Sequence, residues 1–149
     1  MNIYEISDRT PLLERQLTAL WERSVKATHL FLTDSEIAEI RKEVPQAIRE
    51  APHLLTAERT PGVPAAFLGV EGQTLAMLFV EPEERGKGLG RRLVQEGIDR
   101  YGIREVTVNE QNPQAKGFYE RVGFRVFRRT EVDEQGRPYP LLYMRLPDR

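Results

Sequence analysis

The chain has 149 residues, 40% of them apolar and 30% charged, with 22 Lys+Arg against 23 Asp+Glu and no cysteine. That length suits one domain spanning residues 1–149, with a core that buries about 68–70% of the surface exposed by the unfolded chain. The apolar content excludes a disordered chain. The missing cysteines exclude a disulfide scaffold, a thiolate nucleophile, a Cys-ligated zinc and an iron–sulfur cluster. A formal net charge of −1 argues against a generic nucleic-acid binder. No apolar run reaches the roughly 18 residues of a membrane span. The start, Met1 to Ile6, lacks the charged head and apolar stretch of a secretory signal, so a cytoplasmic location is expected.

Ile3, Tyr4 and Ile6 read as a short opening strand. Pro11 then opens a helix whose apolar stripe is Leu12, Leu13, Leu17, Leu20, Trp21 and Val25. A second helix is predicted from a cap at Asp34, ended or kinked between Pro45 and Pro52. The period then changes. His53–Ala57, Ala65–Val70 and Thr74–Val80 read as strands, the last two joined at Glu71-Gly72. Gly88–Tyr101 is helical, with Leu89, Leu93, Val94, Ile98 and Tyr101 on its inner face. Glu105–Val108 is a short strand, after which Asn112 caps a helix that starts at Pro113 and stops at Gly123. Strands near Arg125–Glu131 and Leu141–Leu146 flank a polar Gly/Pro turn. The order β-α-α-β-β-β-α-β-α-β-β predicts an α+β (mixed α/β) fold of about seven strands and four helices.

The sharpest local feature runs from Leu78 through Arg85-Gly86-Lys87-Gly88-Leu89-Gly90-Arg91-Arg92 to Leu93. A buried strand enters a loop with three alternating glycines, which opens directly into a helix. Glycine lets backbone approach a ligand closely, and the first amides of a helix have no intrahelical partner. With the helix dipole and Arg85, Lys87, Arg91 and Arg92 beside it, the loop is built to hold a pyrophosphate. The spacing G-x-G-x-G misses the G-x-G-x-x-G dinucleotide fingerprint, and Lys87 is followed by glycine where nucleotide hydrolases need Ser or Thr. Taken alone, the loop also reads as a glycine-rich turn with solvated charges.

A second motif follows one strand later: Asn112-x-x-Ala115-x-x-x-Tyr119-x-x-x-Gly123-Phe124, with Ala115 and Tyr119 on one helix face. The two motifs in this order resemble the GNAT (GCN5-related N-acetyltransferase) superfamily, whose Arg-x-x-Gly-x-Gly pattern matches Arg85, Gly88 and Gly90. Segments around Trp21–Leu32, Val108–Asn112 and Glu131–Leu142 narrow the similarity to the bacterial YjaB-type branch. The resemblance implies a twisted mixed sheet that splays between its fourth and fifth strands, where the pantetheine arm of acetyl-CoA enters. Backbone groups of Phe79 and Val80 would pair with that arm. The amides of Arg85, Gly86, Lys87, Gly88, Leu89, Gly90 and Arg91 would take the phosphates. Asn112 would meet the arm near the thioester, and Tyr119 would protonate the departing thiolate. The oxyanion is expected at a backbone amide on a strand bulge near Val80.

The implied activity is acetyl-CoA-dependent transfer of an acetyl group to a primary amine, either a protein lysine or a small amine. The alternative from another class is a non-catalytic acyl-CoA-binding or sensing module. A phenol near pKa 10 suits a thiolate leaving group, and no serine stands in a nucleophile-elbow context, so direct transfer is expected. Neither a metal nor a nucleic acid or membrane partner is expected, and monomers and homodimers both suit the scaffold. For the base, His29 lies just past the first helix, beside the implied acceptor pocket. Its plainer reading is a helix C-terminal imidazole that completes a cap or packs against Trp21. Glu110 reads as a relay through water or as a solvated loop carboxylate. Tyr139 reads as an acceptor-site aromatic or a packed one, and His53 as structural.

Overall fold

Thr10 starts the first helix by local chemistry: its hydroxyl accepts from the Leu13 amide at 3.1 Å, and Pro11 occupies the first turn. The computed structural model describes residues 1–148. Its strands are β1 (Asn2–Glu5), β2 (His53–Thr60), β3 (Val63–Glu71), β4 (Thr74–Val80), β5 (Glu105–Asn109), β6 (Arg125–Thr130) and β7 (Leu141–Arg145). Its helices are α1 (Pro11–Thr28), α2 (Asp34–Arg41), α3 (Val44–Glu50), α4 (Leu89–Tyr101) and α5 (Pro113–Val122), with a 3₁₀ turn at Pro82–Glu84.

The predicted second helix is two short helices, α2 and α3, separated at Lys42–Glu43. Pro45 does not end it. It lies in the first turn of α3, where its missing N–H costs nothing. The cap of α2 is Thr33 rather than Asp34, because Thr33 and Glu36 form a reciprocal capping box.

All seven strands form one sheet in the order β1-β2-β3-β4-β5-β7-β6. Consecutive residues of the central strands feed opposite faces. Leu54 and Phe67 pack with Leu17, Leu20, Trp21, Val25, Ile37 and Ile48 under α1–α3. Their neighbours Leu55 and Leu68 pack with Leu89, Leu93, Val94, Val106 and Phe124 under α4 and α5. This is why Pro64 to Val70 are all buried although the period of a strand is two.

β4 and β5 run parallel, and only Thr74↔Glu105 and Leu75↔Val106 are paired. Beyond them the strands separate. Opposite β3, the register steps from Met77 to Leu75, so Ala76 is an extra residue that bulges β4 where the separation begins. The bulge therefore stands at Ala76, four residues before Val80, and not near Val80 as the sequence reading has it.

Candidate active site

A cavity of about 770 Å³ fills the opening between β4 and β5. It is lined by the gap edge of β4, the glycine loop with the start of α4, the end of β5, the inner face of α5 and, from the far side, Ser24 and Thr28 of α1 with its cap residue His29.

The glycine loop is held before it reaches the cavity. Arg23 of α1 donates two hydrogen bonds of 2.6 Å each to Glu81, and Arg59 of β2 donates two of 2.7 Å each to buried Glu84. The Arg59 guanidinium keeps the Glu84 carboxyl below its ordinary pKa. Gly86 and Gly88 have φ of +77° and +83°, and nothing lies within 4 Å of the Cβ either would carry. Gly88 caps α4 without a side chain, and the first helical bond runs from the Arg92 amide to the Gly88 carbonyl. The amides of Leu89, Gly90 and Arg91 therefore have no helical carbonyl to bond and sit at the positive end of the helix. Arg85 and Arg91 line the cavity there, and Arg85 donates to Gln114 Oε1 at 2.8 Å, tying the loop to α5. This loop supplies open space, unpartnered N–H groups and positive charge together, which fits a pyrophosphate.

The edge of β4 supplies the next polar groups. The Glu81 amide donates to Ala65 at 2.8 Å, and the β3 register is unbroken from Val80 to Met77. Antiparallel pairing alternates, so the amides of Met77 and Phe79 face β3 while those of Leu78 and Val80 face the gap. The Val80 amide is therefore one of the two that β3 leaves unpaired. Phe79 lines the cavity too, but its backbone hydrogen bonds go to β3, and Leu78 presents the second gap-facing amide.

On α5, Asn112 is buried and its Oδ1 accepts from the Ala115 amide at 3.2 Å. The cap uses the oxygen and leaves the Asn112 amide N–H₂ to the cavity it lines. Tyr119 is 6% exposed, edge-on to Phe118 at 5.0 Å and to Phe124 at 5.7 Å. Burial raises its phenol above the ordinary value, so it stays protonated.

Across the sheet, His29 caps α1, its amide donating to the Val25 carbonyl at 2.8 Å. Its ring tilts against Phe31 at 5.5 Å, whereas Trp21 packs on Phe79. Burial lowers its pKa below the ordinary histidine value, so near neutral pH it carries a lone pair.

The chain matches the acetyltransferase (GNAT) domain family over residues 24–144. It is 42% identical over 132 residues to the peptidyl-lysine N-acetyltransferase YjaB of Salmonella typhimurium (strain LT2), covering 89% of this chain and 90% of that protein. The protein of the same name from Escherichia coli (strain K12) is 44% identical over 127 residues, 85% and 86% of the two chains. The solution structure of apo YjaB from Escherichia coli aligns with a TM-score of 0.86 at 41% identity, over 97% of each chain. The chain belongs to the GNAT acetyltransferase family.

As a GNAT enzyme it is an N-acetyltransferase, and acetyl-CoA is its co-substrate. Within this GNAT fold the remaining sequence candidates fall apart by environment. Lys87 is exposed and does not line the cavity, although its charge helps keep Glu84 ionised. Glu110 accepts from Arg129 Nε at 2.5 Å and Nη2 at 3.0 Å, and that guanidinium lowers its carboxyl pKa. A carboxylate so held is a poor proton acceptor. Tyr139 donates to Glu36 and packs 6.1 Å from Phe31, which brings the late hairpin against the α1–α2 turn. On the α2–α3 segment Glu39 pairs with Lys42 and Glu43 with Arg137, so neither carboxylate is without a cationic partner. His53 stacks on Tyr101 at 4.2 Å and meets Glu5 at 3.3 Å, outside the residues that line the cavity.

Sequence reasoning missed Leu78, Thr28, Phe118 and Arg121, all of which line the cavity. Leu78 was legible from the alternation of β4 once its register with β3 is known. Arg121 follows from helical spacing after Gly117 on α5. Among the described residues no group of three His, Asp or Glu side chains stands close enough to hold a metal ion, and no helix is long and apolar enough to cross a membrane.

Proposed function

We propose that this chain transfers the acetyl group of acetyl-CoA directly to the ε-amine of protein lysines, with Tyr119 as general acid and His29 as general base. The observation that carries this reading is that both side chains line one cavity, from opposite sides of the splayed sheet. The names of the relatives at 42% and 44% identity support the acceptor class.

Acetyl-CoA supplies an acetyl carbonyl activated as a thioester. The chain's residues supply position and protons. Amides from Gly86 to Arg91, with Arg85 and Arg91, hold the phosphates at the head of α4. The gap edge of β4 pairs with the pantetheine arm through Leu78 and Val80, as an added strand would. In this reading the Val80 N–H, unused by β3, donates to the carbonyl oxygen as negative charge develops there. The Asn112 amide N–H₂ holds the arm close to the reacting end.

A lysine is protonated at neutral pH, and presenting it neutral costs about 4.6 kcal/mol. His29, held neutral by burial, removes a proton from the incoming amine and lowers that cost in the transition state. Tyr119, held neutral by burial on the α5 side, gives its proton to the departing thiolate. With no cysteine in the chain, a thiol acyl-enzyme has no site, and the amine attacks the thioester itself.

The test is a panel of N-terminally blocked lysine peptides, free peptide N-termini, aminoglycosides and small polyamines, assayed for acetyl-CoA-dependent thiol release with mass spectrometry of the product. Nε-acetylation of the blocked peptides is expected. Turnover confined to the small amines or to free N-termini would remove the protein-lysine reading and leave the cofactor half intact.

A further inference from the structure

Thr28 is the last residue of α1 and the neighbour of His29, and both line the cavity. Its hydroxyl lies 2.8 Å from the Ser24 carbonyl oxygen and 2.8 Å from His29 Nδ1. A carbonyl has no hydrogen to give, so the Thr28 hydroxyl proton points at Ser24. Its oxygen then offers only lone pairs to the ring, and Nδ1 at that distance is the nitrogen that carries hydrogen. A neutral imidazole has one N–H, which leaves Nε2 bare. The backbone bond of His29 to Val25 and the Phe31 ring at 5.5 Å hold the imidazole in the place where this bond forms.

We infer that Thr28 fixes the tautomer of His29, making Nε2 the proton-accepting nitrogen, and is a positioning residue for acetyl transfer. The inference rests on His29 being the base. An unconstrained histidine in water favours hydrogen on Nε2, the form in which that nitrogen accepts nothing. The reverse arrangement here, with Thr28 donating to Nδ1, would forgo the hydroxyl's bond to the Ser24 carbonyl. One net hydrogen bond separates the two forms, roughly a two- to tenfold bias in the tautomer ratio.

The experiment reads the tautomer and the rate separately on the full chain. Nitrogen-15 NMR of the His29 ring, above its titration, should show Nδ1 protonated and Nε2 unprotonated in the unaltered enzyme. Thr28→Val should shift population toward hydrogen on Nε2 and lower kcat/KM for a lysine peptide by roughly two- to tenfold, with acetyl-CoA affinity unchanged. Thr28→Ser, which keeps the hydroxyl, should recover both readouts relative to Thr28→Val and guards against a simple packing defect. Hydrogen on Nε2 in the unaltered enzyme, or a Thr28→Val protein with unchanged tautomer and rate, overturns the inference. Full turnover by His29→Gln removes the base reading itself and the catalytic role of Thr28 with it, whereas a tautomer shift that leaves the rate untouched removes only the role of Thr28.

Discussion

Tyr119 and His29 belong to different layers of the molecule and open on the same cavity. Tyr119 packs in the core beneath α4 and α5, while His29 ends α1 on the opposite side of the sheet. A continuous sheet would separate them. They communicate because β4 and β5 hold only two residue pairs before diverging, so the middle of the sheet is a slot. An acid and a base on opposite sides of a slot can act on the two ends of one transfer without neutralising each other.

Replacing Tyr119 with Phe removes the acidic proton and little else. Turnover should fall by about 10²–10⁴, the range for a positioned general acid. The ring contacts with Phe118 and Phe124 persist, so the melting temperature and the calorimetric affinity for acetyl-CoA should stay near the unaltered values. Unchanged turnover would remove the acid assignment.

The pH profile follows from two shifts. Burial lowers the His29 pKa, so the acid limb of kcat/KM should fall below the ordinary histidine value of about 6.5. Burial raises the Tyr119 pKa, so no alkaline loss through this group is expected below about pH 10. The depressed histidine also links to stability. The unfolded chain takes up the proton first, so this contribution is present above about pH 6.5 and is lost as pH falls through the lower folded value. Denaturant titrations of the unaltered enzyme and His29→Gln between pH 7 and 5 should converge on the acid side; parallel curves would contradict the shift.

Asn112 caps α5 with its side-chain oxygen and lines the cavity. Asn112→Asp keeps the oxygen that caps α5 and should retain stability, but it removes the N–H₂ donor and should raise KM for acetyl-CoA. Asn112→Ala loses the cap as well, costing about 1 kcal/mol of stability. Thermal melts beside acetyl-CoA titrations separate the two effects, and equal KM values for Asn112→Asp and the unaltered enzyme would place the donor outside the binding site.

Gly88→Ala forces an L side chain into a left-handed conformation at φ +83°, a cost of roughly 1–2 kcal/mol. For a chain of this size that lowers the melting temperature by about 2–8 °C. Because a Cβ at Gly88 meets no protein atom, any further loss of CoA affinity in calorimetry reports the ligand's own occupancy of the cradle. Gly90 has an ordinary helical φ, and its Cβ would sit 3.6 Å from Phe118 and Val80, so Gly90→Ala should leave stability unchanged or raised.

Much of this was readable along the chain because the signals are local. The strand-loop-helix there announces itself through Gly86 and Gly88, whose left-handed φ only glycine adopts easily. Asn112, Pro113 and Gly123 mark the ends of α5 by capping chemistry that needs nothing beyond the next turn. The second helix was misread where two local rules compete: the proline at 45 signals a stop in isolation, but as the second residue of a new helix it is a start.

The residue order alone carried the alternation of elements outside the α2–α3 segment, the glycine loop and the tyrosine on α5, since each depends on backbone conformation within a few residues. The folded chain was needed to reveal that β4 opens at Ala76, that Leu78 and Val80 keep free amides toward the gap, that Glu110 is captured by Arg129, and that His29 reaches the same space as Tyr119. Those are matters of register and of contacts between distant segments, and they are fixed by how the two faces of the sheet bury their apolar side chains. The spacing of residues along one strand or helix does not contain them.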